Sequence, residues 1–295
     1  MFADMRPFGE RLLDELAEMR TAFRQLLDGS SICNVDPNRH GVGGMVFIGF
    51  ATWDWTPDDG LIGERTRLLE RLDHWASLLL LLHRSAVPTT RERIEGHLGL
   101  LRDWLKRDGG DHSIPPTIEE ASARAEVAFD ELVRLVEIGI HGMPATLVVP
   151  DTNALIRHPD VASFAAHLGT DDYLVVMPTT VVAELDELKD RGRTEDVRTK
   201  AAAVVRRLKG LRDRGDIRVG VPVQGRTRLR MEHREVQVRG VLDWLDPDVP
   251  DDRILAAALD LQARSPAATV VLFTADMNLQ NKAAAVGLPF ADPAP

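Results

Sequence analysis

The sequence predicts an α/β domain with a mostly parallel sheet over residues 144–295, preceded by a mainly α-helical domain over residues 1–143. Two observations predict this division. Up to about residue 138, apolar residues recur at three- and four-residue spacings; beyond it, short β-branched runs alternate with helical stretches. A Gly- and Pro-containing break, Gly139 to Pro144, separates the two patterns.

The chain has 295 residues, enough for two domains and a sizeable core. Its content of 44% hydrophobic and 28% charged residues excludes a disordered chain. No apolar run, the five leucines Leu78 to Leu82 included, approaches the roughly 18–20 residues of a membrane span, so no membrane association is expected. The N-terminus has no basic start followed by an apolar core, so no secretory leader is expected. A single cysteine, Cys33, excludes an internal disulfide framework and a zinc site built on several thiolates. A buried position is expected for it. These features predict a cytoplasmic protein.

In the first domain, Glu10 to Leu27 sets Leu12, Leu13, Leu16, Met19, Phe23 and Leu26 on one helical face. Residues 34–60 are rich in Gly, Asp, Asn and Pro, and read as an irregular connection or a short hairpin around Met45–Phe50. Helices follow over Leu61 to Leu82, Thr90 to Lys106, and from Thr117 to about Ile138. Thr117 and Glu120 have the spacing of a capping box at the start of the last one.

In the second domain, strands are predicted at Thr146–Val149, Tyr173–Met177, Ile217–Val221 and Thr269–Phe273. Helices are predicted at roughly 153–167, 179–190, 194–213 and 251–264. Strand and helix in alternation imply a parallel sheet covered on both faces.

Ligands of such sheets collect beyond the carboxyl ends of the strands. Asp151 directly follows the first strand, Asp276 the last, and Glu184 lies in the helix after the second. Asp251 and Asp252 open a further helix. Taken singly, each has a structural reading as a helix cap or a solvated charge. Taken together, they gather carboxylates at one rim. Such groups repel one another, and a hard divalent cation such as Mg²⁺ or Mn²⁺ relieves the repulsion. That ion can activate a water and neutralise a phosphodiester.

Charge is distributed unevenly. Residues 1–143 carry 16 basic and 24 acidic side chains; residues 144–295 carry 20 and 22. Arg198 to Arg234 holds 12 Lys or Arg against three acids, so the basic charge is concentrated there. Arg198, Lys200, Arg206, Arg207 and Lys209 fall on one predicted helix. Arg226, Arg228 and Arg230 alternate as on one face of a strand. These residues are candidates for binding RNA phosphates, which positions a strand without reading its sequence. Trp244 is open to two readings, a core residue or a platform for a base.

Four short motifs carry a resemblance. Pro150-Asp151-Thr152-Asn153, Val181-Val182-Ala183-Glu184-Leu185, Asp252-Arg253-Ile254-Leu255-Ala256-Ala257 and Thr274-Ala275-Asp276-Met277-Asn278 resemble, in order and spacing, the motifs of the PIN-domain nucleases. The resemblance covers about residues 145–292. It implies a PIN-like α/β/α sandwich with a five-stranded parallel sheet, and Mg²⁺- or Mn²⁺-dependent cleavage of RNA. By this resemblance Asp151, Glu184, Asp252 and Asp276 are the metal-binding catalytic acids. Asp251 is an auxiliary acid or a cap, and Asn278 stands where many members carry a further Asp. Thr152, Asn153 and Thr274 fit polar groups that orient carboxylates or the substrate phosphate.

The function expected is a metal-dependent endoribonuclease acting on single-stranded RNA. The alternatives are a non-catalytic RNA-binding module, the toxin of a toxin–antitoxin pair, and a flap-type DNA nuclease. An aspartyl phosphatase ranks low, because Asn153 stands where its second Asp is commonly needed. The helical domain is open to a protein partner, to self-association, or to shielding the basic surface.

Overall fold

The computed structural model describes residues 5–34, 51–53, 59–84, 86–107, 114–142 and 145–293. The chain divides into two compact units. One is Gly9–Ile140; the other joins His141–Pro295 to the start of the chain as far as Phe8.

The first unit is mostly helical, as expected: α1 (Phe8–Asp28), α2 (Asp59–Leu82), α3 (Pro88–Lys106) and α4 (Ile118–Gly139). Leu12, Leu16, Met19 and Phe23 are buried along the one face of α1 that their spacing predicts. The Trp75 indole N–H donates to the Leu12 carbonyl at 2.9 Å, so this buried ring leaves no orphan donor. Proline opens α3, and Thr117 caps α4 by accepting from the Glu120 N–H at 3.2 Å. His83 is buried with Nε2 2.8 Å from the Leu135 carbonyl, a core histidine. Two short strands, β1 (Ile32–Asn34) and β2 (Ala51–Trp53), form an antiparallel ribbon. Cys33 lies on it and is exposed, contrary to the expected buried position. A two-stranded ribbon of three-residue strands offers little to bury it. The hairpin expected around Met45–Phe50 lies outside the described residues.

The second unit runs β3 (Thr146–Pro150), α5 (Thr152–Arg157), a 3-10 turn (Val161–Phe164), α6 (Ala165–Leu168), β4 (Leu174–Met177), α7 (Thr179–Arg191) and α8 (Glu195–Arg212). It continues through β5 (Val221–Gln224), β6 (Thr227–Met231), a second 3-10 turn (Val238–Gly240), α9 (Pro250–Arg264), β7 (Thr269–Phe273), α10 (Met277–Ala285) and β8 (Phe290–Ala291). The sheet order is β5-β6-β4-β3-β7-β8. Five strands are parallel, and β5 pairs antiparallel with β6. The five-stranded expectation is therefore corrected to six strands in a mixed, mainly parallel sheet. The extra strand comes from a tight hairpin at Gly225-Arg226, which Gly225 permits at φ +56°. It also moves the strand expected at Ile217–Val221. Asp216 accepts from the Arg218 N–H at 3.0 Å and turns the chain there, so the strand starts only at Val221.

The helix expected over 153–167 is broken into three pieces. Pro159 cannot sit inside a helix and holds His158 off helical geometry; Asp160 then caps a new 3-10 turn. The central strands are nearly all buried, and Phe273 at the end of β7 stacks on Phe164 at 3.9 Å between ring centroids.

The α7–α8 hairpin turns at Gly192, where an added Cβ would lie 2.6 Å from the Leu188 carbonyl oxygen. Backbone cannot yield as a side-chain tip can. Gly192→Ala is expected to cost about 2 kcal/mol, read as a lower melting temperature of the full chain.

Candidate carboxylate site

The pairing of β3 with β7 puts Pro150 opposite Phe273. Both strands thus end level, and the Asp151 N–H donates to the Phe273 carbonyl at 3.1 Å. Each strand passes directly or within a short turn into a helix capped by an aspartate. Asp151 Oδ1 accepts from the Ala154 N–H at 2.5 Å and caps α5. Asp276 Oδ1 accepts from the Leu279 N–H at 2.9 Å and caps α10. The cap reading of Asp151 and Asp276 is therefore correct, and the caps orient both carboxylates.

Two threonines fix the acids. The buried Thr274 hydroxyl donates to Asp151 Oδ2 and accepts from the Asp276 N–H at 3.0 Å, so it joins two acidic segments. Thr152 is buried beside Asp151, and its hydroxyl donates to Glu184 Oε2 on α7. Asn153 and Asn278 are exposed.

The charges of several of these acids reach one another. Burial pushes the Asp151 carboxyl up, and the charges of Asp251 and Asp276 add to the rise; its hydrogen bonds from Thr274 and Ala154 oppose it. Burial also raises Glu184, with Asp251 adding and Thr152 and the Arg253 charge opposing. Asp251 is raised by burial, then by Asp276 and Asp252, against Lys282. The Asp251 charge thus acts on Asp151 and Glu184.

Asp252, selected from the sequence, is engaged elsewhere. It is 4% exposed, its Oδ1 meets Lys282 Nζ at 2.6 Å, and its Oδ2 accepts from the Asp246 N–H at 2.9 Å. It joins α9 to α10 and to the loop before α9. The sequence reading passed over Lys282. Its only signal was a place on the helix after Asp276, and nothing in the sequence says that α10 packs on α9.

Among the described residues, no group of three or more His, Cys, Asp or Glu side chains stands ready to hold a metal ion. The acids here are held by their caps and threonines.

The basic candidates divide. Arg226 pairs with Asp171 at 2.8 Å, at the opposite end of the sheet from the acids. Arg228 donates to the Gly220 carbonyl at 3.2 Å, and Arg230 lies 3.7 Å from Glu232, which also holds Arg264 at 2.6 Å. On α8, Arg198 bonds the Gly192 carbonyl, Lys200 pairs with Asp196, and Arg207 pairs with Asp160. Arg206 and Lys209 are exposed. Lys209 and Arg212 hold Asp186 of α7 below the usual carboxylate range, after the larger effect of its hydrogen bond from Lys189. Trp244 is exposed, on the loop that Asp246 anchors to Asp252.

The family model of the PIN domain matches residues 148–293, so the C-terminal half of the chain is a PIN domain. Membership of this family supports a nuclease or RNA-binding role. No curated protein matches the chain. Among the described residues, no helix is long and apolar enough to cross a membrane.

Asp251 and Asp252 should behave oppositely on substitution. An acid raised by folding favours the folded state when protonated, so its contribution is lost as pH rises through its raised value. Asp251→Asn is therefore expected to melt like wild type near pH 4 and above it at pH 7. Asp252→Ala strands Lys282 and the Asp246 amide and is expected to cost about 2 kcal/mol. Thermal melts of both variants at the two pH values check this.

Proposed function

We propose that this PIN domain is a metal-dependent endoribonuclease that cuts single-stranded RNA by an activated water. One observation carries the reading. Asp151, Glu184 and Asp251, from three separate segments, are raised by burial and by like charge at one rim. A protein rarely keeps such a cluster for stability alone, since it destabilises the folded state at neutral pH.

The donor chemistry fits Mg²⁺ or Mn²⁺, because hard cations prefer carboxylate oxygens. In this reading Asp151, Glu184, Asp251 and Asp276 hold the ion, and Asp252 positions Asp251 through the start of α9. When bound, the ion supplies a water nucleophile at neutral pH and offsets charge on the phosphodiester. Thr274 keeps Asp151 turned to the rim, and Thr152 does the same for Glu184. Lys209 and Arg206 on α8 hold the flanking RNA backbone, and Trp244 offers a face for an unstacked base. Arg226 and Arg228 have close partners within the protein and contribute less.

A second reading is RNA binding without cleavage. It draws on the lack, among the described residues, of a ready-made metal-ligand set. A toxin role would show as growth arrest on expression, relieved by a small protein partner.

The discriminating experiment uses labelled single-stranded RNA and DNA with Mn²⁺ or Mg²⁺. Wild type is expected to cut RNA, leaving 5′-phosphate and 3′-hydroxyl ends, because water and not the ribose hydroxyl attacks. Asp151→Asn is expected to lose at least about 10²-fold in rate, the scale on which single catalytic groups act. Equal cutting by both proteins refutes the assignment of the rim. Salt-sensitive binding without cutting favours the second reading.

A further inference from the structure

A small cleft lies between the start of α7 and the segment after β6. Thr179, Thr180, Arg234, Glu235 and Arg253 are among its lining residues. Arg253 follows Asp252 on α9, and it shares the cleft with Thr180, one helical turn before Glu184 on α7. It therefore stands at the edge of the acidic group.

The guanidinium of Arg253 is only loosely committed within the protein. Its Nε is buried and, among the described residues, has no hydrogen-bond partner. Its nearest carboxylate, Glu235, is 3.9 Å from Nη1, beyond the length of a charge-assisted hydrogen bond. Arg264, which also lines the cleft, differs. Arg264 is held at 2.7 Å by Asp260 and at 2.6 Å by Glu232. An orphaned buried donor costs free energy, so an acceptor brought to the Arg253 Nε would be stabilising. The Arg253 side chain is 34% exposed, so the outer edge of the guanidinium stays open to the cleft.

We infer that Arg253 is a phosphate-positioning residue. Its planar fork takes the non-bridging oxygens of one backbone phosphate of single-stranded RNA, next to the phosphodiester held at the carboxylates. The phosphate supplies the acceptor that Nε lacks and displaces the weak contact to Glu235. A strand so held lies across the rim with its scissile bond facing the acids. The inference rests on the nuclease reading for the identity of the strand.

The test measures RNA binding by anisotropy on the full chain in an Asp151→Asn background, which prevents cutting. Arg253→Ala and Arg253→Lys are compared across a salt series, with thermal melts to confirm folding. Arg253→Ala is expected to weaken binding about tenfold, the scale of one charge-assisted hydrogen-bonded contact. It is also expected to lower the salt slope by about one phosphate contact. Arg253→Lys is expected to keep the slope and recover only part of the affinity, since a lysine keeps the charge without the fork. A purely structural role would leave the slope unchanged.

Cleavage by the otherwise wild-type chain, with and without Arg253→Ala, is measured in parallel. Cleavage with unchanged KM, affinity and slope in Arg253→Ala overturns the phosphate contact and leaves the nuclease reading standing. Arg253-dependent binding without any cleavage overturns the nuclease reading and leaves the contact standing. Absence of RNA binding in every variant overturns both.

Discussion

The parallel pairing of β3 with β7 is the constraint on which the rim depends. Its register makes both strands stop level, with Pro150 opposite Phe273. Each then leads to a helix whose first N–H groups lack partners within the helix. Asp151 and Asp276 supply those partners, each carboxylate folding over the first turn of its helix. Thr274, between the two segments, bonds to both and fixes their spacing. A slip of one residue in the register would reverse every side chain of β7 and remove Thr274 from Asp151.

Gathering acids this way has an electrostatic cost, and the surroundings of the rim limit it. Hydroxyl donors from Thr152 and Thr274 stabilise the charged forms of Glu184 and Asp151. Lys282 neutralises Asp252 and offsets part of the charge felt by Asp251. Arg253 does the same for Glu184. The adjacent acids Asp251 and Asp252 part company because successive helical residues project about 100° apart. One lies toward the rim, and the other sits in the packing between α9 and α10. The residual repulsion falls on Asp151, Glu184 and Asp251.

Basic charge is abundant in this half of the chain, yet much of it serves the fold. The hairpin that adds β5 turns through Arg226, which is anchored by Asp171 at the far end of the sheet from the acids. Arg264 braces α9 against Glu232 beyond β6. Cations without such duties lie on α8 and in the cleft holding Arg253. Counting basic residues along a sequence cannot separate these two groups, since the partners lie up to 55 residues away.

The sequence by itself determined the two-part architecture, the alternation of strand and helix, and the four acidic segments. It did so because burial periodicity and cap chemistry are local properties of the chain. Thr269–Phe273 and the Thr117 cap could be read directly for that reason. Proline chemistry that breaks the helix at Pro159 was equally local, and the apolar spacing around it hid it. The tertiary structure alone decided what depends on partners distant in sequence. It added an antiparallel edge strand. It brought Lys282 to Asp252 and left the Arg253 guanidinium facing a cleft. Each is set by which helices pack on which, and long-range packing leaves no spacing in the sequence by which it could be read.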